Sequence, residues 1–214
     1  MAKKAEKKKD EKTLTISAPK LIRMPFKIRG ISPYVQNKFS QKVLEQMRAA
    51  QEAGSTAKKG KKKDPKDFQA LYEGSMHIST EGWYGIPAPA FRNALVSACR
   101  LVGFKMTLGK MSVFTEADGF DRDDGTPLVK ITKGKPHYHE YPVKNASGVA
   151  DIRPRAMWEP GWEATVTVRF DGDQFTEEDV ANLLMRVGLQ VGIGEGRHDS
   201  RMGTGMGWGE FELI

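Results

Sequence analysis

The chain has 214 residues, of which 39% are apolar and 29% charged, with a net charge of +7 at neutral pH; this is enough apolar content to bury a core and excludes wholesale disorder. A single cysteine, Cys99, excludes a disulfide framework and any zinc site of several thiolates, and it suits a reducing cytosol. No apolar run approaches the roughly 18 residues that a membrane helix needs, and residues 1–12 lack an apolar leader core, so a cytoplasmic protein with no membrane contact is expected.

The positive charge is concentrated. Residues 1–12 hold six Lys against three acidic residues, and residues 58–66 hold six Lys against one Asp, which leaves the remainder at −1. Neither segment has apolar periodicity, so a disordered basic tail over 1–12 and a mobile lysine-rich loop at about 54–67 are expected, within a chain whose residues 13–214 form one domain. Lys58, Lys59, Lys61, Lys62 and Lys63 of that loop read either as electrostatic arms for a polyanion or as solubilising charge.

Residues 13–18, TLTISA, alternate as a strand does, and FKIRGI within residues 20–31 alternates again, with Pro25 marking an edge or bulge. From Pro33 to Ala53, Tyr34, Val35, Phe39, Val43, Leu44 and Met47 recur at helical spacing, with Ser32 as N-cap and Gly54 as stop. LYEGSMHIS, residues 71–79, predicts a strand. In residues 82–103, Pro87 and Pro89 exclude helix before them, while Phe91, Leu95, Ala98 and Val102 predict one up to Gly103.

Further along, MSVFTEA and TPLVKI are short strands on either side of an acidic loop, DGFDRDDG. ADIRPRAMW and WEATVTVRF flank Glu159, Pro160 and Gly161 and predict a hairpin. Thr176 and Asp179 form a capping box that opens a helix to about Val187. WGEFELI is a closing strand. The order of elements predicts an α+β fold with a mostly antiparallel sheet.

Residues 188–209 contain eight glycines, where average usage of ~7% predicts one or two. Arg197, His198, Ser200 and Arg201 lie among Gly194, Gly196, Gly205 and Gly207, so cations and donors stand where steric bulk has been removed, a combination suited to phosphate or sugar. The order helix, glycines, strand is the reverse of a dinucleotide fingerprint, and no GK[ST] P-loop occurs. A long hairpin without a ligand is the other reading.

IPAPAFRNALVSACR, residues 86–100, resembles the IPxSSxKGxLR segment of the RAMP superfamily, the RNA-binding subunits of CRISPR effector complexes, and GIGEGRHDSRMGTGMGWG resembles that superfamily's glycine-rich loop before the last strand. The resemblance covers residues 13–214. It implies a ferredoxin-like, RRM-like sheet with helices on one face and inserted strands, and RNA bound along the sheet, a helix N-terminus and the glycine loop. Ala88, Pro89 and Ala90 replace the family's serines, Arg92 its Lys and Asn93 its Gly, which removes hydroxyls and keeps a cation. The early acidic residue of target-cleaving members has no counterpart, since residues 13–63 hold no Asp.

A helix N-terminus and a glycine loop both present free N–H groups to an anion, and Arg92, Arg197 and Arg201 add charge. Trp83, Tyr84, Tyr138, Tyr141 and Trp208 are candidates for stacking on bases. The expected partner is single-stranded RNA, in a homo-oligomer or a nucleoprotein complex. The alternatives are single-stranded DNA binding or annealing, a metal-independent endoribonuclease using His198 or His77, and a structural assembly subunit.

No cofactor or metal is expected. His137 and His139 share one strand face without a third ligand. The loop of Asp118, Asp121, Asp123 and Asp124 lacks the closing Glu of a calcium loop.

Overall fold

In the computed structural model, the described residues are 16–38, 45, 48–49, 51–52, 66–144, 150–200 and 205–214. The N-terminal tail, Lys58, Lys59, Lys61, Lys62, Lys63 and Arg201 lie outside them. Among the described residues, no helix is long and apolar enough to cross a membrane.

The architecture is mixed α+β, and every strand pair is antiparallel. The centre of the larger sheet is β9 (Glu163–Asp171). One edge of β9 pairs with β1 (Leu21–Gly30). The other edge is shared, taking β6 (Pro127–Lys133) at one end and β4 (Val113–Thr115) at the other. β10 (Phe211–Leu213) flanks β1, and β3 (Gly85–Pro87) and β5 (Gly119–Phe120) both pair with β6. A second sheet has the order β2 (Tyr34–Gln36), β8 (Ala150–Trp158), β7 (His137–Lys144).

Alternation along β1 and β9 sends Phe26, Ile28, Val166, Val168 and Phe170 inward and leaves Arg23, Lys27 and Arg169 on the opposite face. On the inner side lie α2 (Ala88–Ala98), which contributes Phe91 and Leu95, and, after the short helix α3 (Met106–Ser112) in the chain, α4 (Glu177–Arg186), which contributes Val180, Leu183 and Leu184 to the same core. The expected capping box of Thr176 and Asp179 opens α4. α2 continues as a 3-10 turn, Cys99–Val102, and stops at Gly103 in the left-handed conformation, as its sequence predicts.

Pro25 is tolerated within β1 because its nitrogen faces the β10 side, and β10 reaches only Ile28, Arg29 and Gly30. At the strand's end, a Cβ on Gly30 would collide with the Trp162 indole.

Four sequence expectations are corrected. The chain from Ile16 to Lys20 has no regular structure. The helix expected from Pro33 does not begin there: Tyr34, Val35 and Gln36 are buried and pair with β8, and Ser32, instead of capping a helix, accepts a hydrogen bond from the Glu210 N–H at 2.9 Å. Of the remaining positions in that stretch, residues 45, 48–49 and 51–52 are helical. LYEGSMHIS begins inside a helix, α1 (Phe68–Glu73), because Asp67 accepts the Ala70 N–H at 3.0 Å as an N-cap; only Ile78 and Ser79 form single bridges.

Finally, β8 and β9 do not pair with each other but belong to different sheets. Trp158 and Trp162 flank the turn between them and are both fully buried, each with its ring centroid 5.5 Å from that of Tyr34. Burying both indoles around one tyrosine turns the chain from one sheet to the other.

Candidate functional site

A groove of about 680 Å³ runs between the α2 helix and the glycine-rich segment. Pro87, Ala90, Asn93 and Ser97 form one wall, and Gly192, Gly194, Gly196, Arg197 and Ser200 the other. Tyr34, Gln36 and His77 are buried lining residues, while Lys110 and Arg153 are more exposed cations of the lining. The two segments singled out in the sequence therefore face a common space. No side chain caps the α2 N-terminus, where Pro87 occupies the N-cap position.

The glycine-rich segment is tied down on both flanks. Asp199 accepts hydrogen bonds from the Ser97 hydroxyl and, at 2.8 Å, from Arg100 at the end of α2. The Ser97 bond, followed by Arg100, holds the Asp199 carboxyl below the ordinary aspartate range, although partial burial opposes this. On the other flank, Glu195 accepts from Arg155 Nε at 2.6 Å, and its backbone N–H donates to the Val35 carbonyl at 3.0 Å.

Two glycines make this geometry possible. Gly194 and Gly196 have φ of 79° and 78°, and a Cβ at either would come within 2.5 Å of the Val35 carbonyl oxygen or of the Trp208 ring, respectively. Trp208 in turn meets Tyr141 edge-on at 5.1 Å and His139 at 5.9 Å. Residues 192–200 form a packed wall.

The expected site residues divide. Gly194, Gly196, Arg197 and Ser200 line the groove, and Arg197 Nη1 donates to the Gly194 carbonyl at 2.9 Å. Arg92 does not line it: its guanidinium lies 5.6 Å over the Phe114 ring and donates to the Lys110 carbonyl. His198 also lies outside the lining, with Nε2 2.6 Å from Glu210. Gly207 lies against the His198 ring, and Gly205 has open space around its Cβ position. None of Trp83, Tyr84, Tyr138, Tyr141 and Trp208 lines the groove. Tyr84 packs on Trp158 and Tyr138 on Tyr72.

Sequence reasoning missed a buried polar network beside the groove. His77 Nδ1 lies 2.8 Å from Asp121 Oδ2, and Lys38 Nζ lies 2.6 Å from Asp121 Oδ1 and 2.8 Å from Asp123 Oδ2. The His77 N–H donates to Gln36 Oε1 at 2.9 Å. Burial lowers the His77 pKa; Asp121 opposes this without cancelling it, and Lys38 adds to the lowering. Burial would raise the Asp121 carboxyl, but Lys38, the Asp123 N–H and His77 outweigh it and hold it low.

Asp121 comes from the acidic loop. His77, Asp121 and Asp124 present ligand atoms within 4.8 Å of one another. The Lys38 ammonium pairs with Asp121, and Asp124 accepts the Thr126 N–H at 2.9 Å, so both carboxylates of the cluster already have partners within the chain. The only sequence signal for this network was the density of acids in the loop, which does not say which of them turns inward.

Comparison of the chain with protein-family models and with curated proteins finds no match.

Proposed function

We propose that this protein is a RAMP-like module that holds single-stranded RNA by its sugar–phosphate backbone, in the groove between the α2 N-terminus and the glycine-rich wall. The observation that carries the reading is the convergence of these two segments, 87–97 and 192–200, on one groove. Backbone N–H groups at an uncapped helix start and in a glycine-rich turn favour an anion, and Lys110, Arg197 and Arg153, the last also 3.4 Å from Glu195, add positive charge. The basic runs at 1–12 and 58–66 would extend the attraction along a polyanion.

The fold is read in the same spirit. The strand order β10-β1-β9-β4, with α2 on the path from β1 to β4 and α4 between β9 and β10, supports reading the larger sheet as a ferredoxin-like unit, with the second sheet as an insertion. A cytoplasmic RNA-binding subunit that repeats along a strand, as a homo-oligomer or within a nucleoprotein complex, fits this reading.

The test is fluorescence anisotropy with labelled single-stranded RNA, titrated over a range of salt and competed with DNA of the same sequence. The expected result is RNA-preferring binding whose log affinity falls linearly with log salt, and a shallower slope for Arg153→Ala/Arg197→Ala. Unchanged affinity and slope in that variant would remove the groove from the mechanism. Equal competition by DNA would replace RNA with single strands of either kind.

A further inference from the structure

The groove has features that a cradle for phosphate does not need. Its volume of about 680 Å³ falls among sites that enclose a drug-sized ligand. Ala90, Asn93, Ala94 and Ser97 recur at the i, i+3, i+4 and i+7 positions of one α2 face, and Met106 and Ile193 add apolar lining. The alanines on that face leave room for a flat ring. Ser97 is committed to Asp199, whereas the exposed Asn93 carboxamide makes no hydrogen bond among the described residues.

His77 indicates what a ligand must bring. The residue is buried, its backbone N–H donates to Gln36, and its Nδ1 lies 2.8 Å from Asp121. Burial would raise the Asp121 carboxyl, but Lys38, the Asp123 N–H and His77 keep it ionised. An ionised carboxylate can only accept, so the imidazole proton resides on Nδ1. Burial, with Lys38, outweighs Asp121 and Asp124 and keeps the ring neutral. Nε2 is thus an acceptor in a residue that lines the groove, and it has no donor among the described residues. A buried acceptor of this kind favours the ligand that supplies a donor and disfavours the analogue that lacks one.

We propose that the groove is also a nucleobase pocket selective for a base with an exocyclic amino group, with His77 Nε2 accepting from that group and the Asn93 amide pairing with the remaining edge. This inference rests on the RNA-binding reading of the groove and adds a base preference to it. Uracil is the one standard RNA base without an amino group, so it is the base disfavoured. A carboxamide carries both donors and an acceptor, so Asn93 suits any base edge and adds affinity. The choice falls to His77, which offers only a lone pair.

The experiment uses the full chain and fluorescence anisotropy with labelled RNA strands of equal length. One is made of adenosine, one of uridine, and one of purine riboside, which is adenosine without its 6-amino group. The expected result is that the adenosine strand binds about 10-fold more tightly than the other two. All three should share one salt slope, because the phosphate contacts do not change. His77→Phe should bind the adenosine and purine riboside strands alike. Asn93→Ala, at an exposed helical position that alanine suits, should bind the adenosine strand several-fold more weakly while keeping its preference over purine riboside. The comparison of adenosine with purine riboside is made on the unaltered chain, so it stands even if His77→Phe does not fold.

Equal affinity of the unaltered chain for adenosine and purine riboside strands overturns the base pocket and leaves the phosphate cradle standing. A preference for adenosine that survives in folded His77→Phe overturns the selecting role of His77. Failure to bind any of the strands overturns the reading on which the inference rests.

Discussion

Lys38 Nζ lies 2.6 Å from Asp121 Oδ1, and neither side chain has appreciable contact with solvent. The pair joins the segment after β2 to the loop after β5, 83 residues apart in sequence, and it fixes the carboxylate on which His77 rests. A buried ion pair of this kind adds little net stability over apolar packing, but removing one partner strands the other charge.

Lys38→Met is therefore expected to destabilise the protein by about 3–5 kcal/mol, read from the urea midpoint. The double variant Lys38→Met/Asp121→Asn should recover much of that loss, because no buried charge is left unpaired. An additive double-variant cycle would show that the pair is not coupled.

The same network sets an acid limit. The folded His77 pKa lies below its ordinary 6.5, chiefly through burial, so its stability contribution is present above 6.5 and is lost as pH falls from there toward the folded value. Asp121 is held below 3.8, and its contribution disappears only in stronger acid, as pH falls through the folded carboxyl value. The melting temperature should decline just below pH 6.5, and His77→Gln should remove that first decline while leaving the later one.

The glycine-rich wall should tolerate added bulk unevenly. Gly196→Ala places a methyl against Trp208 at φ 78°, and should cost at least the roughly 1–2 kcal/mol of the left-handed conformation, with a matching loss of oligonucleotide affinity. Gly205→Ala, at φ 61° with open space around it, should cost the backbone strain alone. Comparing both variants by thermal melts and anisotropy checks this, and equal behaviour would count against the wall as packed structure.

Asp199 ties the wall to α2. It is partly exposed, so Asp199→Ala is expected to lower global stability by less than about 1 kcal/mol. Amide exchange in residues 192–200 should nevertheless quicken and oligonucleotide affinity fall. Unchanged exchange there would show that the Ser97 and Arg100 contacts do not hold the loop.

Local signals carried the helices that have their own punctuation. The Pro87 turn with Phe91, Leu95 and Ala98 at helical spacing, and the Thr176–Asp179 capping box, needed no distant partner. Alternation carried β6 and β9. The same logic misread residues 34–36, because helical spacing in Tyr34 and Val35 cannot register the β8 backbone that pairs with them. It also read a hairpin across Glu159–Gly161, since turn residues look alike whether the flanking strands pair or part.

For the candidate site, composition by itself determined that residues 188–209 bring glycines and cations together and that the Pro87–Ser97 segment starts a helix. Only the tertiary structure decided that these two share a groove, that Arg92 turns to Phe114 and His198 to Glu210, and that one aspartate of the acidic loop is buried beside Lys38 and His77. Spacing along a chain reports what recurs within a few residues, whereas which side chain faces a cavity depends on sheet register and on contacts made across 80 or more positions, as between Lys38 and Asp121.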